Sequence, residues 1–264
     1  MKIKDRVAVV TGAASGIGKA LAARFAKEGA RGVVCADLNE ADAKAVAAGV
    51  GGLGLRCDVG QESDMNNLVV ATLEKYGAVD IFCSNAGIIG RHGLDASLKE
   101  WRRTMDVNFM AHVLAAKAVV PIMLKQGGGT IVATASAAGL LMSVESATYT
   151  VSKHAAVAFA EWLSVNYGDR GIRVSCLCPQ GVQTPMLLGP SGNRKSFLLE
   201  GSVSAEDVAG KVMEAIETER FLVLPHPEVA EYERRKTTDR DRWLGGMRRL
   251  RATVMADPNL RGDD

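Results

Sequence analysis

The 264-residue chain has no marked excess of either charge: 32 lysines and arginines stand against 30 aspartates and glutamates, a formal net charge of +2. No global field draws such a chain to nucleic acid or to a membrane surface, and a small neutral or anionic molecule is the better-matched partner. Nowhere do eighteen apolar residues run uninterrupted, and the opening MKIKDRVAVV passes from charges into an apolar run too short for a signal peptide. A cytoplasmic location is therefore expected. Cysteine is scarce and odd in number, and Cys35, Cys57, Cys83, Cys176 and Cys178 show no metal-ligand spacing. Each lies in or at the end of an apolar strand-like run, where a reduced thiol behaves as a small hydrophobe. Cys176 and Cys178, two apart on a strand, share one face. His92, His112, His154 and His226 match no metal or triad spacing, so no metal is expected and no role is assigned to them. Internal repeats, low-complexity tracts and Pro/Ser-rich linkers are also missing before Pro225.

What is present is ordinary globular composition, 47% hydrophobic and 23% charged, on a chain long enough to bury one large core. The apolar runs RVAVVTG, GVVCAD, LGLRCD, VDIFCSNAG, GTIVATAS and IRVSCLCP alternate with helix-period stretches near 16–29, 39–48, 62–76, 97–125 and 147–168. Strands that are apolar throughout are buried on both faces, which places helices on both sides of a parallel sheet. The expected fold class is thus α/β: a single-domain, doubly wound parallel sheet of Rossmann-like type. Residues 1–227 would form that domain. Residues 228–264 would be a basic helical extension, part of it or packed on a neighbouring subunit.

The segment VAVVTGAASGIG sets a glycine cluster between the first strand and the first helix. Gly12 allows a tight turn, while Gly16 and Gly18 let backbone and helix approach a pyrophosphate at the positive helix terminus. Asp37 follows Gly18 by nineteen residues, where a carboxylate accepts both hydroxyls of an adenosine ribose. A 2′-phosphate there would meet like charge, and no basic residue lies between Gly12 and Gly16 or directly after Asp37 to offset it, which favours NAD over NADP. The alternative for Asp37 is an N-cap for the next helix. Asp58 is either a partner for the adenine amino group or a solvated turn residue. Further on, ATYTVSKH sets Tyr149 and Lys153 four apart, on one helix face. That spacing alone is common by chance.

Taken together, TGAASGIG, Asp37, SNAG, Asn108, Ser136 and YTVSK resemble the short-chain dehydrogenase/reductase family in its short single-domain form, over about residues 5–225. The glycine pattern appears as Thr11-Gly12 and Gly16-Ile17-Gly18, and the strand-four motif as Ser84-Asn85-Ala86-Gly87, with its first asparagine replaced. The resemblance makes Asn108, Ser136, Tyr149 and Lys153 the catalytic set. It also assigns Ser15, Ile17, Val59, Asn85, Ala86, Gly87, Pro179, Val182 and Thr184 to the cofactor, beside Gly12, Gly16, Gly18, Asp37 and Asp58. Tyr149 is the expected acid–base group, its phenol brought toward working pH by Lys153 and the positive nicotinamide ring. Ser136 would hold the substrate oxygen, Lys153 the nicotinamide ribose, and Asn108 a water linking Lys153 to solvent. Asn85 would brace the sheet. Where the family has Pro-Gly, this chain has Pro179-Gln180, and the Gln180 side chain either enters the substrate cavity or lies on the surface.

The activity this implies is NAD-dependent interconversion of a secondary alcohol and a ketone. An NADP-dependent carbonyl reductase and a non-catalytic NAD-sensing protein are the alternatives, the first disfavoured by Asp37 and the second by the intact catalytic set. Leu140, Leu141, Met142, Met186, Leu187 and Leu188 suit an apolar or cyclic alcohol, or are ordinary packing. Of these Leu141 and Met142, with Ser136, Gln180 and Met186, are the candidate substrate residues. LGPSGNRKSFLLEG reads as a mobile lid whose Arg194 and Lys195 attract a carboxylate or phosphate, or are plain surface charge. The tail carries Tyr232, Trp243, Met247 and Leu250 among many arginines, and is expected over the substrate mouth or against a neighbouring subunit. The resemblance implies a homotetramer, or a homodimer, built on the helices near 107–125 and 147–168.

Overall fold

The computed structural model describes residues 1–90, 93–189 and 191–260. His92 lies outside them. Among the described residues seven strands, β1 (Val7–Thr11), β2 (Gly32–Asp37), β3 (Leu53–Arg56), β4 (Ile81–Ser84), β5 (Gly129–Thr134), β6 (Ile172–Leu177) and β7 (Leu222–Val223), form one sheet. Their order is β3-β2-β1-β4-β5-β6-β7 and every pairing is parallel. Because β4 returns to the other side of β1, chain direction across the sheet reverses there, and a crevice opens beyond the carboxyl ends of the strands.

The helices are α1 (Gly16–Lys27), α2 (Glu40–Gly49), α3 (Glu62–Tyr76), α4 (Leu98–Met105), α5 (Ala111–Lys125), α6 (Ala137–Leu140), α7 (Ala147–Tyr167), α8 (Pro185–Leu188), α9 (Ala205–Thr218), α10 (Glu228–Thr238) and α11 (Arg240–Ala256). Successive residues of β1 point to opposite faces and enter different cores. Val9 packs with Leu68 of α3, Val119 of α5 and Ala160 of α7. Ala8 and Val10 pack with Leu21 and Phe25 of α1 and Val212 and Ile216 of α9. Each fully buried leucine, isoleucine or phenylalanine contributes about 1.5–3 kcal/mol relative to exposure, so both faces hold the sheet. Both i,i+2 cysteines, Cys176 and Cys178, fall in the first core with their sulfurs 3.7 Å apart.

Two features depart from the sequence pattern. The stretch read as one helix over 97–125 is broken by a π-helical turn at Asp106–Met110. Helix α9 and strand β7 had no counterpart in the reading, although Ser204 caps α9 by accepting from Asp207 N–H and its buried residues keep a helical period. Residues Leu98–Lys125 are long and apolar enough, by length and composition, to cross a membrane, a description core helices also meet; half of the most apolar window is buried inside the fold.

Candidate active site

The turn after β1 is shaped by what its glycines exclude. Gly12 has φ +65°, and a Cβ there would lie 2.8 Å from Ala86 Cα; Gly16 has φ +51°. Gly18 does not face the crevice: a Cβ on it would lie 2.1 Å from the Gly12 carbonyl oxygen, so its part is to seat α1 on the turn. Ser15 precedes α1 without capping it, and the first turn of α1 holds no acid. Its N–H groups and positive terminus are thus left for an anion. Ser15, Gly16 and Ile17 line a cavity of about 830 Å³ that runs across the strand ends.

Asp37 ends β2 at that cavity. Its carboxylate accepts from Ala14 N–H (3.0 Å) in the glycine turn and from Asn39 N–H (3.1 Å). The cap of α2 is Asn39, whose side chain accepts from Asp42 N–H, so the alternative role for Asp37 is not realised. Asp58 and Val59 also line the cavity. Asp58 accepts from Gly60 N–H (3.1 Å) and faces Arg103 at 3.5 Å. Arg103 borders the cavity too, and nothing in its sequence surroundings marks it. Asn85 ties three strands together: its N–H donates to Thr11 Oγ1 (2.9 Å), its Nδ2 to the Thr11 carbonyl (3.0 Å), and its Oδ1 accepts from Thr134 Oγ1 (3.1 Å). Ser84, standing where the family has asparagine, pairs with buried His112 Nδ1 at 2.8 Å. Burial first, and Lys153 second, hold His112 down at about 3, so it is neutral.

The groups expected to do chemistry converge at the end of β5. Ser136 N-caps the one-turn α6, accepting from Ala138 N–H (3.1 Å). A Cβ on Gly139 would lie 2.4 Å from the Lys153 carbonyl oxygen, and this contact, closed to any side chain, sets α6 against α7 and brings Ser136 to Tyr149. Tyr149 lies in the first turn of α7, capped by Ser146 (3.1 Å), and Lys153 follows one turn later. The buried Lys153 Nζ donates to the Thr134 carbonyl (2.9 Å) and sits 5.6 Å from the Tyr149 ring centre. Burial lowers Lys153 to about 8. Burial also raises the Tyr149 phenol above its ordinary value, the hydrogen bond with Ser136 pulling the other way.

Asn108 is placed by the π-helical turn and does not line the cavity. Its Nδ2 donates to the Ile88 carbonyl (2.8 Å) and Ser152 Oγ (3.1 Å), and its Oδ1 accepts from Ile88 N–H (2.8 Å). A methyl on Gly87 would lie 3.4 Å from Asn108 Oδ1 and 3.5 Å from Lys153 Nζ, so a small polar-walled gap separates the two.

Beyond Tyr149 the cavity wall is largely apolar, with Glu145, Glu200 and Arg235 also on it. Leu141, Met142, Met186 and Leu187 line it; Leu140 turns into the core instead, and Leu188 is not part of the wall. Gln180 lines it as well, beside Pro179, Val182 and Thr184. The tail side chains Tyr232, Trp243, Met247 and Leu250 all face this cavity of their own chain. The segment read as a lid is fastened to that tail: Phe197 N–H donates to the Leu260 carbonyl (3.1 Å), and Lys195 Nζ to Asn259 Oδ1 (2.5 Å). Lys195 is thus engaged within the chain, and Arg194 donates to the Met186 carbonyl (3.0 Å). His226, given no role by its spacing, clasps the turn after β6: its Nδ1 accepts from Gln180 N–H and its Nε2 donates to the Gly181 carbonyl, both at 3.1 Å.

A glycine turn at a helix N-terminus, the Asp37 carboxylate and a serine–tyrosine–lysine cluster on one crevice are groups a nicotinamide-dependent oxidoreductase site requires. Residues 6–191 match the family described as short chain dehydrogenase, and the chain belongs to the short-chain dehydrogenase/reductase family of oxidoreductases. It is 40% identical over 237 residues to 1-deoxy-11-beta-hydroxypentalenate dehydrogenase of Streptomyces exfoliatus, covering 86% of each chain. It is 35% identical to the mitochondrial borneol dehydrogenase of Lavandula x intermedia, covering 85% of this chain and 88% of that one. A solved short-chain dehydrogenase/reductase from Burkholderia phymatum in complex with NAD superposes with a TM-score of 0.82 at 30% identity, over 91% of this chain and 96% of that one.

Proposed function

We propose that this protein is an NAD(H)-dependent oxidoreductase that interconverts a secondary alcohol and a ketone on an apolar, cyclic substrate. The carrying observation is one continuous cavity lined by Asp37, by Ser136, Tyr149 and Lys153, and by the largely apolar wall of Leu141, Met142, Met186 and Leu187. Two relatives are named for polycyclic substrates, a pentalenate and borneol, which suits that wall. The neighbour from Burkholderia phymatum holds NAD.

The residues fit the cofactor. The first turn of α1 would take the pyrophosphate, Asp37 the ribose hydroxyls, and the turn Pro179–Thr184 the carboxamide end. A bound nicotinamide would supply the hydride acceptor or donor and, when oxidised, a positive charge. Ser136 Oγ orients the substrate oxygen. Tyr149 takes the hydroxyl proton on oxidation and returns it on reduction. Lys153 supplies positive charge next to the phenolate and so limits its cost in a dry site. Asn108 and Lys153 flank the gap at Gly87, which suits a water that passes the proton onward. His226 fixes the turn carrying Gln180, so the cofactor's reactive end and the substrate chamber share one wall.

Exposed apolar residues on α7 and the π-helical turn, Val151, Trp162, Val165 and Met110, support a homotetramer or homodimer formed through these faces. Cofactor choice is tested by fluorescence titration with NADH and NADPH. NADH should bind at least tenfold more tightly, and Asp37→Ser should narrow that ratio by removing the repulsion of a 2′-phosphate. Equal binding of the two by the parent protein overturns the assignment to NAD.

A further inference from the structure

Lys236 of α10 is a buried cation outside the catalytic set, and every proton of its ammonium is used. Nζ donates to the Leu140 carbonyl (2.5 Å), the Leu141 carbonyl (2.9 Å) and His154 Nε2 (3.2 Å), and it lies 5.2 Å from the centre of the Trp243 ring. His154 Nδ1 is spent on the Thr150 carbonyl (2.9 Å), and as the donor there it leaves Nε2 a lone pair for the lysine. Burial, against the pull of the Thr150 carbonyl, keeps His154 below its ordinary value, with Lys236 and Arg240 adding to the effect. The same burial lowers Lys236, with Arg240 adding and Glu233 opposing.

The two carbonyls are the last of α6, the single helical turn that begins at Ser136. A helix end leaves carbonyls without partners, and a cation there satisfies them and opposes the negative terminus. Lys236 therefore closes one end of a turn whose other end is Ser136. Leu141, one of its acceptors, is also cavity wall, and Trp243, beneath its charge, is cavity roof. His154 follows Lys153 directly on α7.

We infer that Lys236 is a positioning residue that fastens the Ser136–Met142 wall to the α10–α11 roof, and so sets the cavity's fit to bulky alcohols. The part concerning alcohols rests on the proposed function; the fastening does not.

The test compares the full-length parent with Lys236→Met and Lys236→Arg. Hydrogen exchange of segments 137–146 and 240–256 should speed up roughly tenfold or more in Lys236→Met, the effect of losing hydrogen bonds to a charged group. Lys236→Arg should restore much of the protection. With NAD⁺ and borneol, the KM for the alcohol should rise about tenfold in Lys236→Met, while cyclohexanol, too small to reach the roof, changes less and NADH affinity stays within about twofold. Unchanged exchange in both segments overturns the fastening. An equal loss for borneol and cyclohexanol overturns the role in fit. If the parent oxidises neither alcohol, the exchange result still decides the fastening, so failure of the proposed function is read separately. Should Lys236→Met not fold, Lys236→Gln, with two amide protons for three acceptors and no charge, must raise exchange in 137–146; no rise there also overturns the fastening.

Discussion

Lys153 gives a prediction that needs no substrate. Its ammonium is buried and titrates at about 8 in the fold against 10.5 for an ordinary lysine, because burial penalises the charged form. Between those values the unfolded chain binds the proton and the folded chain does not, so stability rises with pH across the window. Between pH 7 and pH 9.5 these two titrations add about 2 kcal/mol to the folded state. Lys153→Met keeps the length of the side chain and removes the titration. Urea unfolding of both proteins at the two pH values, without cofactor, isolates the effect, since every other titrating group cancels in the difference. The parent should gain about 2 kcal/mol on the variant between the two pH values. A gap that stays flat, or moves the other way, refutes the claim that burial dominates at Lys153.

His226→Phe keeps the ring buried but strips the Gln180 N–H and the Gly181 carbonyl of their partners; chemical unfolding should show a loss of about 1–3 kcal/mol, and alcohol KM should rise. Gly12→Ala forces a side chain into a left-handed turn 2.8 Å from Ala86 Cα, so melting with and without NADH should show a loss of about 2 kcal/mol or more and no stabilisation by NADH.

Much of the fold was legible because buried parallel strands write themselves as unbroken apolar runs. GVVCAD became β2 and IRVSCL β6, and the helix expected near 62–76 begins and ends at Glu62 and Tyr76. The π-helical turn was not legible: nothing in the residue types of Asp106–Met110 sets it apart from an α-helix, and the shift shows only in the backbone, where Ala111 N–H donates to the Asp106 carbonyl five residues back. In the site, glycines and Asp37 were readable since their chemistry is local to a strand end. Gly18 was read as letting backbone and helix come close, and the structure puts that closeness against the Gly12 carbonyl. Arg103, His226 and Lys236 were missed because the ion pair or hydrogen bonds each makes here join it to residues at least 45 positions away. The spacing patterns used for histidine are local, and a clasp such as His226 on Gly181 has no local signature.

Tyr149→Phe tests the central claim most directly, since it deletes one oxygen from a half-buried ring and leaves Ser136, Lys153 and the cofactor turn in place. The parent and the variant are each given NAD⁺ and a panel of cyclic secondary alcohols, with NADH formation followed by absorbance and NADH affinity by fluorescence. The expected result is turnover by the parent, none by the variant, and NADH affinity within about twofold between them. Comparable turnover by Tyr149→Phe on a pure alcohol would contradict the assignment of Tyr149 as the acid–base group.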